Sequence, residues 1–130
     1  DFQKKTPTDS LKELEFILCP VHHNYQVRQA LISHNFSLLE ECIITENKRF
    51  YEVIHVKKQF SLSTNPHSTM NKISVTGDIM WDFSCKSHQQ YLAKTISHFQ
   101  RMLFAAKPNE KVTLNKIIGQ YSALIPTSQK

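Results

Sequence analysis

The apolar pattern of this chain falls into two parts, and that division restricts the fold more than any other feature. Up to Val56 the large apolar residues mostly form short runs or alternate, as strands require, with one helically spaced stretch between His23 and His34; from Lys86 onward they recur at steps of four and three, as helices require. Between these stretches, Gln59 to Thr76 is built mostly of Ser, Thr, Asn, Pro, His and Lys and reads as a loop or linker. A mixed α/β part followed by a helical part is therefore expected. With 130 residues and 40% apolar side chains, the chain can fill one modest core and falls short of two ordinary domains.

Leu14 to Pro20 is an apolar run closed by proline, the pattern of a strand buried on both faces, as in a parallel sheet. From His23 to His34 the residues Val27, Ala30, Leu31 and His34 follow helical spacing, with Asn24 as N-cap and Asn35 as a left-handed C-cap. Phe36 to Thr45 and Arg49 to Val56 are strand-like, and the polar turn Glu46-Asn47-Lys48 joins them into an antiparallel hairpin. Strand, helix and hairpin in this order finish several doubly wound α/β sheets, with an antiparallel strand inserted at the edge. The start of such a sheet is missing.

In the second part, Leu92, Ile96, Phe99, Leu103 and Ala106 make the seam of an antiparallel, coiled-coil-like helical hairpin, with Ser87 as N-cap. Pro108-Asn109 breaks the first helix. The second carries Leu114, Ile117, Ile118, Tyr121, Leu124 and Ile125, with Thr113 as cap and Pro126 as stop.

Composition removes several function classes. Two glycines, Gly77 and Gly119, cannot build a GxGxxG or P-loop, so a self-sufficient nucleotide-binding domain is not expected. The longest apolar runs fall far short of the roughly 20 residues that span a bilayer. Asp1 to Ser10 is polar and lacks an initiating Met or an apolar signal region, so the chain reads as an excised or partial sequence. Three cysteines, Cys19, Cys42 and Cys85, each stand beside apolar residues and read as reduced core thiols of a cytoplasmic protein. Residues 1–80 hold nine Lys/Arg and nine Asp/Glu, whereas residues 81–130 hold seven Lys/Arg against Asp82 and Glu110, so the whole +5 sits in the last fifty residues. That asymmetry fits either a segment touching a polyanion or an ordinary solvated basic face.

Three clusters bear chemistry. Cys19-Pro20-Val21-His22-His23 lies just past the C-terminal end of the expected parallel strand, where open α/β sheets bind ligands. His22 and His23 either line such a site or simply begin a helix in solvent; zinc is not expected, because no second Cys/His pair stands at ligand spacing. Lys48, Arg49, Phe50 and Tyr51 mix cations with aromatics, a composition that holds RNA or merely decorates a strand turn. Lys86, Lys94, His98, Arg101, Lys107, Lys111 and Lys116 lie mostly off the helical seam, on a face that tracks a phosphate backbone or is only solvated. No Ser/His/Asp or Cys/His spacing signals nucleophilic catalysis.

Phe16-Ile17-Leu18-Cys19-Pro20-Val21-His22-His23, Val27-Arg28-Gln29-Ala30-Leu31-Ile32, Asn35-Phe36-Ser37-Leu38 and Glu46-Asn47-Lys48-Arg49-Phe50-Tyr51-Glu52-Val53 resemble, in order and spacing, the later part of the bacterial tRNA adenine-N1-methyltransferases of the TrmK family. Val75 to Trp81 and the helix from Tyr91 to Arg101 are similar to that family's C-terminal helical domain in its gammaproteobacterial form. The resemblance covers Leu14 to Ile125. It implies an S-adenosylmethionine-dependent enzyme that methylates N1 of adenine 22 in tRNA, the unstacked base attacking the sulfonium-bound methyl largely by positioning. Residues 1–60 would be the C-terminal portion of a Rossmann-like class I methyltransferase domain, 61–85 a linker, and 86–130 a basic, tRNA-binding helical hairpin.

Many family members place Gln-Pro-Asn after the fifth strand, whereas this chain reads Cys19-Pro20-Val21, so only Pro20 carries over there. Pro20, His22 and His23 are then the candidates near the target base, and Lys48, Arg49, Tyr51, Lys94, Arg101 and Lys107 the candidates for RNA contact. The family's acidic and glycine-containing cofactor loops precede the matching region, so this chain alone is expected neither to bind the cofactor nor to be active. A non-enzymatic RNA-binding or interaction module is the alternative.

Overall fold

A computed structural model describes residues 13–59 and 72–126, in two compact units divided between Met80 and Trp81. Asp1 to Ser10 and most of the expected loop lie outside the described residues. The described chain is α/β, with a three-stranded antiparallel sheet and three helices.

In the first unit, β1 (Glu13–Leu18) leads through α1 (Asn24–Ser33) to β2 (Phe36–Glu46) and β3 (Arg49–Gln59). The sheet order is β1-β3-β2, and both β1 and β2 pair antiparallel with β3. β1 and β2 therefore run parallel to each other, as a strand-helix-strand crossover demands, with the returning strand between them. The β2–β3 turn is a two-residue one, with Asn47 at φ 54° and Lys48 at φ 64°, the paired left-handed conformations that match the twist of a tight hairpin.

α1 lies on the sheet face that carries Leu38, Ile54 and Val56, and these residues form the core with Leu31 and Ile73. Leu18, Val27 and Phe36 pack at its margin. Asn35 ends the α1 region in the left-handed conformation, as its short amide side chain allows.

Three expectations for this unit need correction. β1 is not buried on both faces: it sits at the edge of the described sheet, with Phe16 39% and Ile17 72% exposed. The buried stripe of α1 is Tyr25, Arg28 and Leu31, while Ala30 and His34 are exposed. Cys19 and Cys42 are exposed and Cys85 half-buried, so the thiols are not core residues, although all three are free.

In the second unit, α2 (Lys86–Ala105) and α3 (Pro108–Ser122) form a helical hairpin joined by Ala106 and Lys107. Leu92 and Phe99 of α2 and Leu114, Ile117 and Tyr121 of α3 are buried, and Phe99 stacks on Tyr121 at 5.7 Å between centroids. Ile96 and Leu103 of the expected seam are half-buried. The caps differ from expectation. Cys85 rather than Ser87 caps α2, and Thr113 lies inside α3. Pro108, expected to break a helix, is instead the first residue of the next one, where its missing N–H costs nothing. Glu110 accepts the Lys107 backbone N–H at 3.0 Å and closes that end.

Candidate nucleic-acid site

The loop Cys19–His23 leaves β1 at its C-terminal end and enters α1. Cys19, Val21, His22 and His23 are exposed and Pro20 is half-buried. His23 is the N-cap of α1 in a left-handed conformation (φ 61°), an uncommon state for a residue bearing a Cβ. Asn24, expected as the cap, is the first helical residue, and its Oδ1 is buried without a hydrogen-bond partner. The His22 and His23 rings meet edge to face at 6.3 Å.

The strand register relates this loop to the basic turn. Leu18, the last residue of β1, pairs with Ile54, which pairs on its other side with Glu41. Beyond that row β2 and β3 continue five residues further, to Glu46 and Arg49, about 16 Å of additional hairpin. Because β1 and β2 are parallel, the His22-His23 loop and the Lys48-Arg49 tip lie at one end of the sheet, beyond the C-terminal ends of its parallel strands. Lys48 and Arg49 are exposed there, and Tyr51 is half-buried on the sheet face opposite Ile54.

Behind this end is a charged cluster that the sequence did not reveal. Arg28 is fully buried in α1. Its Nη1 donates to Glu41 Oε1 at 2.7 Å, and Nη2 and Nε donate to Glu52 Oε1 at 3.0 and 3.2 Å. Nη1 also reaches the Ser74 carbonyl at 3.3 Å, and Glu41 Oε2 accepts the Ile79 N–H at 3.0 Å. Burial opposes the charge on Arg28, but the two carboxylates outweigh it and hold its pKa above the ordinary arginine value.

The segment 74–80 is thus fastened to the sheet, so part of the stretch expected as a linker is docked in the first unit. Gly77 makes the approach possible: its φ is 79°, and a Cβ there would stand 2.7 Å from Met80 Cε and 2.9 Å from Arg28 Nη2. The sequence signals were Arg28 at helical spacing between Tyr25 and Leu31, and Glu41 and Glu52 within apolar strands.

In the second unit Lys94, Arg101 and Lys107 are exposed. Lys94 and Arg101 are seven residues apart on α2 and share one face, while Lys107 caps α3. At the start of α2, Trp81 stacks on Phe83 at 5.7 Å and on Tyr91 at 5.5 Å. The Cys85 thiol is held below its ordinary range, first by a hydrogen bond with Ser87 Oγ at 3.1 Å and then by the His88 and Ser87 backbone N–H groups. Sequence-predicted site residues therefore fall into two groups, Pro20, His22, His23, Lys48, Arg49 and Tyr51 in the first unit and Lys94, Arg101 and Lys107 in the second.

Among the described residues, no cluster of His, Cys, Asp and Glu is disposed to hold a metal, and no helix is long and apolar enough to cross a membrane.

The chain resembles the solved structure of Sp1610 from Streptococcus pneumoniae, a proposed tRNA (m1A22) methyltransferase, with a TM-score of 0.57 and 21% identity over 86% of this chain and 49% of that one. It also resembles M. capricolum TrmK in complex with S-adenosyl-homocysteine, with a TM-score of 0.52 and 18% identity over 84% of this chain and 47% of the other. The chain thus spans about half the length of the solved structures it matches. No curated protein sequence matches it. The TrmK model, tRNA (adenine(22)-N(1))-methyltransferase, matches residues 5–121, nearly the whole sequence, and the chain belongs to that family.

Proposed function

We propose that this chain is the C-terminal portion of a cytoplasmic, S-adenosylmethionine-dependent enzyme that methylates N1 of adenine 22 in tRNA. Residues 1–60 complete a Rossmann-like methyltransferase domain, 61–85 connect it onward with their 74–80 stretch docked on the first unit, and 86–130 form the tRNA-binding hairpin. The observation that carries this reading is the register argument: a His-His loop and a Lys-Arg-bearing hairpin tip leave the sheet at the same end, where α/β sheets take their ligands.

S-adenosylmethionine is the methyl donor that the family implies, and the described residues do not fit it. Gly77 is packed against Arg28 and Met80, and Gly119 lies within α3, so neither opens a cradle for a nucleoside. What these residues supply is a hold on the tRNA. Lys48 and Arg49 pair with phosphates, and Tyr51 offers a ring at the same end of the sheet. His22 and His23, both exposed, stack on the extruded adenine or donate a hydrogen bond to it, while Pro20 stiffens the path from strand to loop. Lys94, Arg101 and Lys107 track the backbone elsewhere on the RNA.

The test is methyl transfer to tRNA transcripts bearing adenine or guanine at position 22, by the enzyme containing this chain. Alanine at whichever of His22 and His23 carries the contact should lower turnover tenfold or more with little change in melting temperature, since one stacked base is worth about 1–3 kcal/mol. Wild-type turnover in the His22→Ala/His23→Ala double variant, or equal methylation of both transcripts, contradicts the reading.

A further inference from the structure

Phe104 in the last turn of α2 is 93% exposed, more than any other large apolar side chain among the described residues. A single exposed apolar residue is ordinary. The surroundings of this one are not, because Ser97, Gln100, Arg101 and Phe104 line one shallow recess on α2. The recess combines an open aromatic face, an amide and a hydroxyl able to hydrogen-bond in either direction, and a guanidinium. Met102, also partly exposed, stands two residues from Phe104 and so points to the far side of α2, which leaves Phe104 the one large apolar side chain of this recess among the described residues.

The charge of this region favours a polyanion. Residues 97–116 contain Arg101, Lys107, Lys111 and Lys116 against Glu110 alone, a net of +3, and Glu110 is engaged at the Lys107 N–H. We propose that this recess is a nucleotide subsite, in which an unpaired base of the bound RNA stacks on Phe104, its edge meets Gln100 and Ser97, and Arg101 takes the adjoining phosphate. The subsite rests on the tRNA reading given above and adds to it a base contact where only phosphate contacts were assigned.

The experiment measures tRNA affinity of the full chain across a salt series for the wild type and for F104A, F104I, F104Y and R101Q, with circular dichroism on each. F104A should bind about 5- to 150-fold more weakly, the equivalent of about 1–3 kcal/mol for a stacked base, with an unchanged salt slope. F104I, which keeps apolar bulk without a π face, should bind like F104A, and F104Y like the wild type. R101Q should weaken binding and lower the salt slope by about one. Wild-type affinity in F104A or F104I overturns the subsite while leaving the tRNA reading intact. A wild type that binds no tRNA overturns both. Unchanged affinity together with loss of self-association in F104A, seen by sedimentation, also overturns it and identifies the face as a contact between copies of the chain.

Discussion

Replacing Arg28 by Met should remove a large share of the first unit's stability, and the size of the effect follows from the contacts. Three guanidinium nitrogens bind two carboxylates that are themselves 0% and 3% exposed. Removing the cation takes the guanidinium away from two buried carboxylates, and breaking a buried ion pair in this way costs about 3–5 kcal/mol. Total stabilities of small domains are only about 5–15 kcal/mol, so the loss is a large share. For a domain of this size it lowers the melting temperature by at least about 12 °C.

Glu41→Gln is the informative control. Arg28 keeps Glu52, the amide oxygen still accepts a hydrogen bond, and one of two anions facing a single cation disappears, so the cost should stay near 1–2 kcal/mol. Replacing Arg28, Glu41 and Glu52 together by apolar residues should recover most of the Arg28→Met loss, because whole buried ion networks exchange for apolar packing at little cost. The Ile79 N–H then lacks its acceptor, and about 1–3 kcal/mol remains unrecovered. Urea denaturation followed by circular dichroism, with hydrogen exchange at the Ile54 and Val56 amides, reads all three variants. A loss under about 1 kcal/mol for Arg28→Met, or equal losses for Arg28→Met and Glu41→Gln, would refute the reasoning.

Gly77→Ala should cost about 1–3 kcal/mol, since the left-handed backbone and the Met80 and Arg28 contacts both oppose a Cβ; a neutral result in the same denaturation assay contradicts it. Lys48→Gly should stabilise the hairpin by about 1 kcal/mol by relieving a left-handed lysine, while weakening tRNA binding through the lost cation; melting and affinity moving in the same direction would count against it. Alkylation of Cys85, followed by mass spectrometry against pH, should show a midpoint below the ordinary thiol range, because the thiolate is the reactive form. Ser87→Ala should move that midpoint upward by removing the first of its stabilising hydrogen bonds.

The β2–β3 turn was legible because Asn47-Lys48 sits between two β-rich runs, and Asn35 because a short amide tolerates positive φ where a helix ends. The helical seam was legible from its 4-3 spacing, though Pro108 misled: a proline both stops one helix and starts the next, and only the geometry decides. Glu41 was hidden by a backbone irregularity. Strict alternation from Leu38 would turn Glu40 inward, but the register shifts between Leu38 and Glu40, and the inward position passes to Glu41, level with Ile54. Sequence patterns carry no mark of a one-residue bulge, so although Arg28 and Glu52 stood at inward-facing spacings, the inward turn of Glu41 and the grip on residues 74–80 required the structure. For the candidate site, the position of the His22-His23 loop at a strand end was legible, whereas its shared end with Lys48 and Arg49 required the strand order.

The buried cluster also changes the electrostatic accounting. Hiding Arg28 with Glu41 and Glu52 removes one positive and two negative charges from the surface, a net of one negative charge. The assigned phosphate contacts, Lys48, Arg49, Lys94, Arg101 and Lys107, number five, and each releases about 0.7–0.9 of a counterion on binding. The logarithm of tRNA affinity should therefore fall against the logarithm of salt concentration with a slope of about −3.5 to −4.5. Each single substitution to Gln among the five should reduce that slope by somewhat less than one. A slope shallower than about −2, or one unmoved by any of the five substitutions, would mean that these cations only solvate the surface, and the RNA would have to be held through uncharged contacts instead.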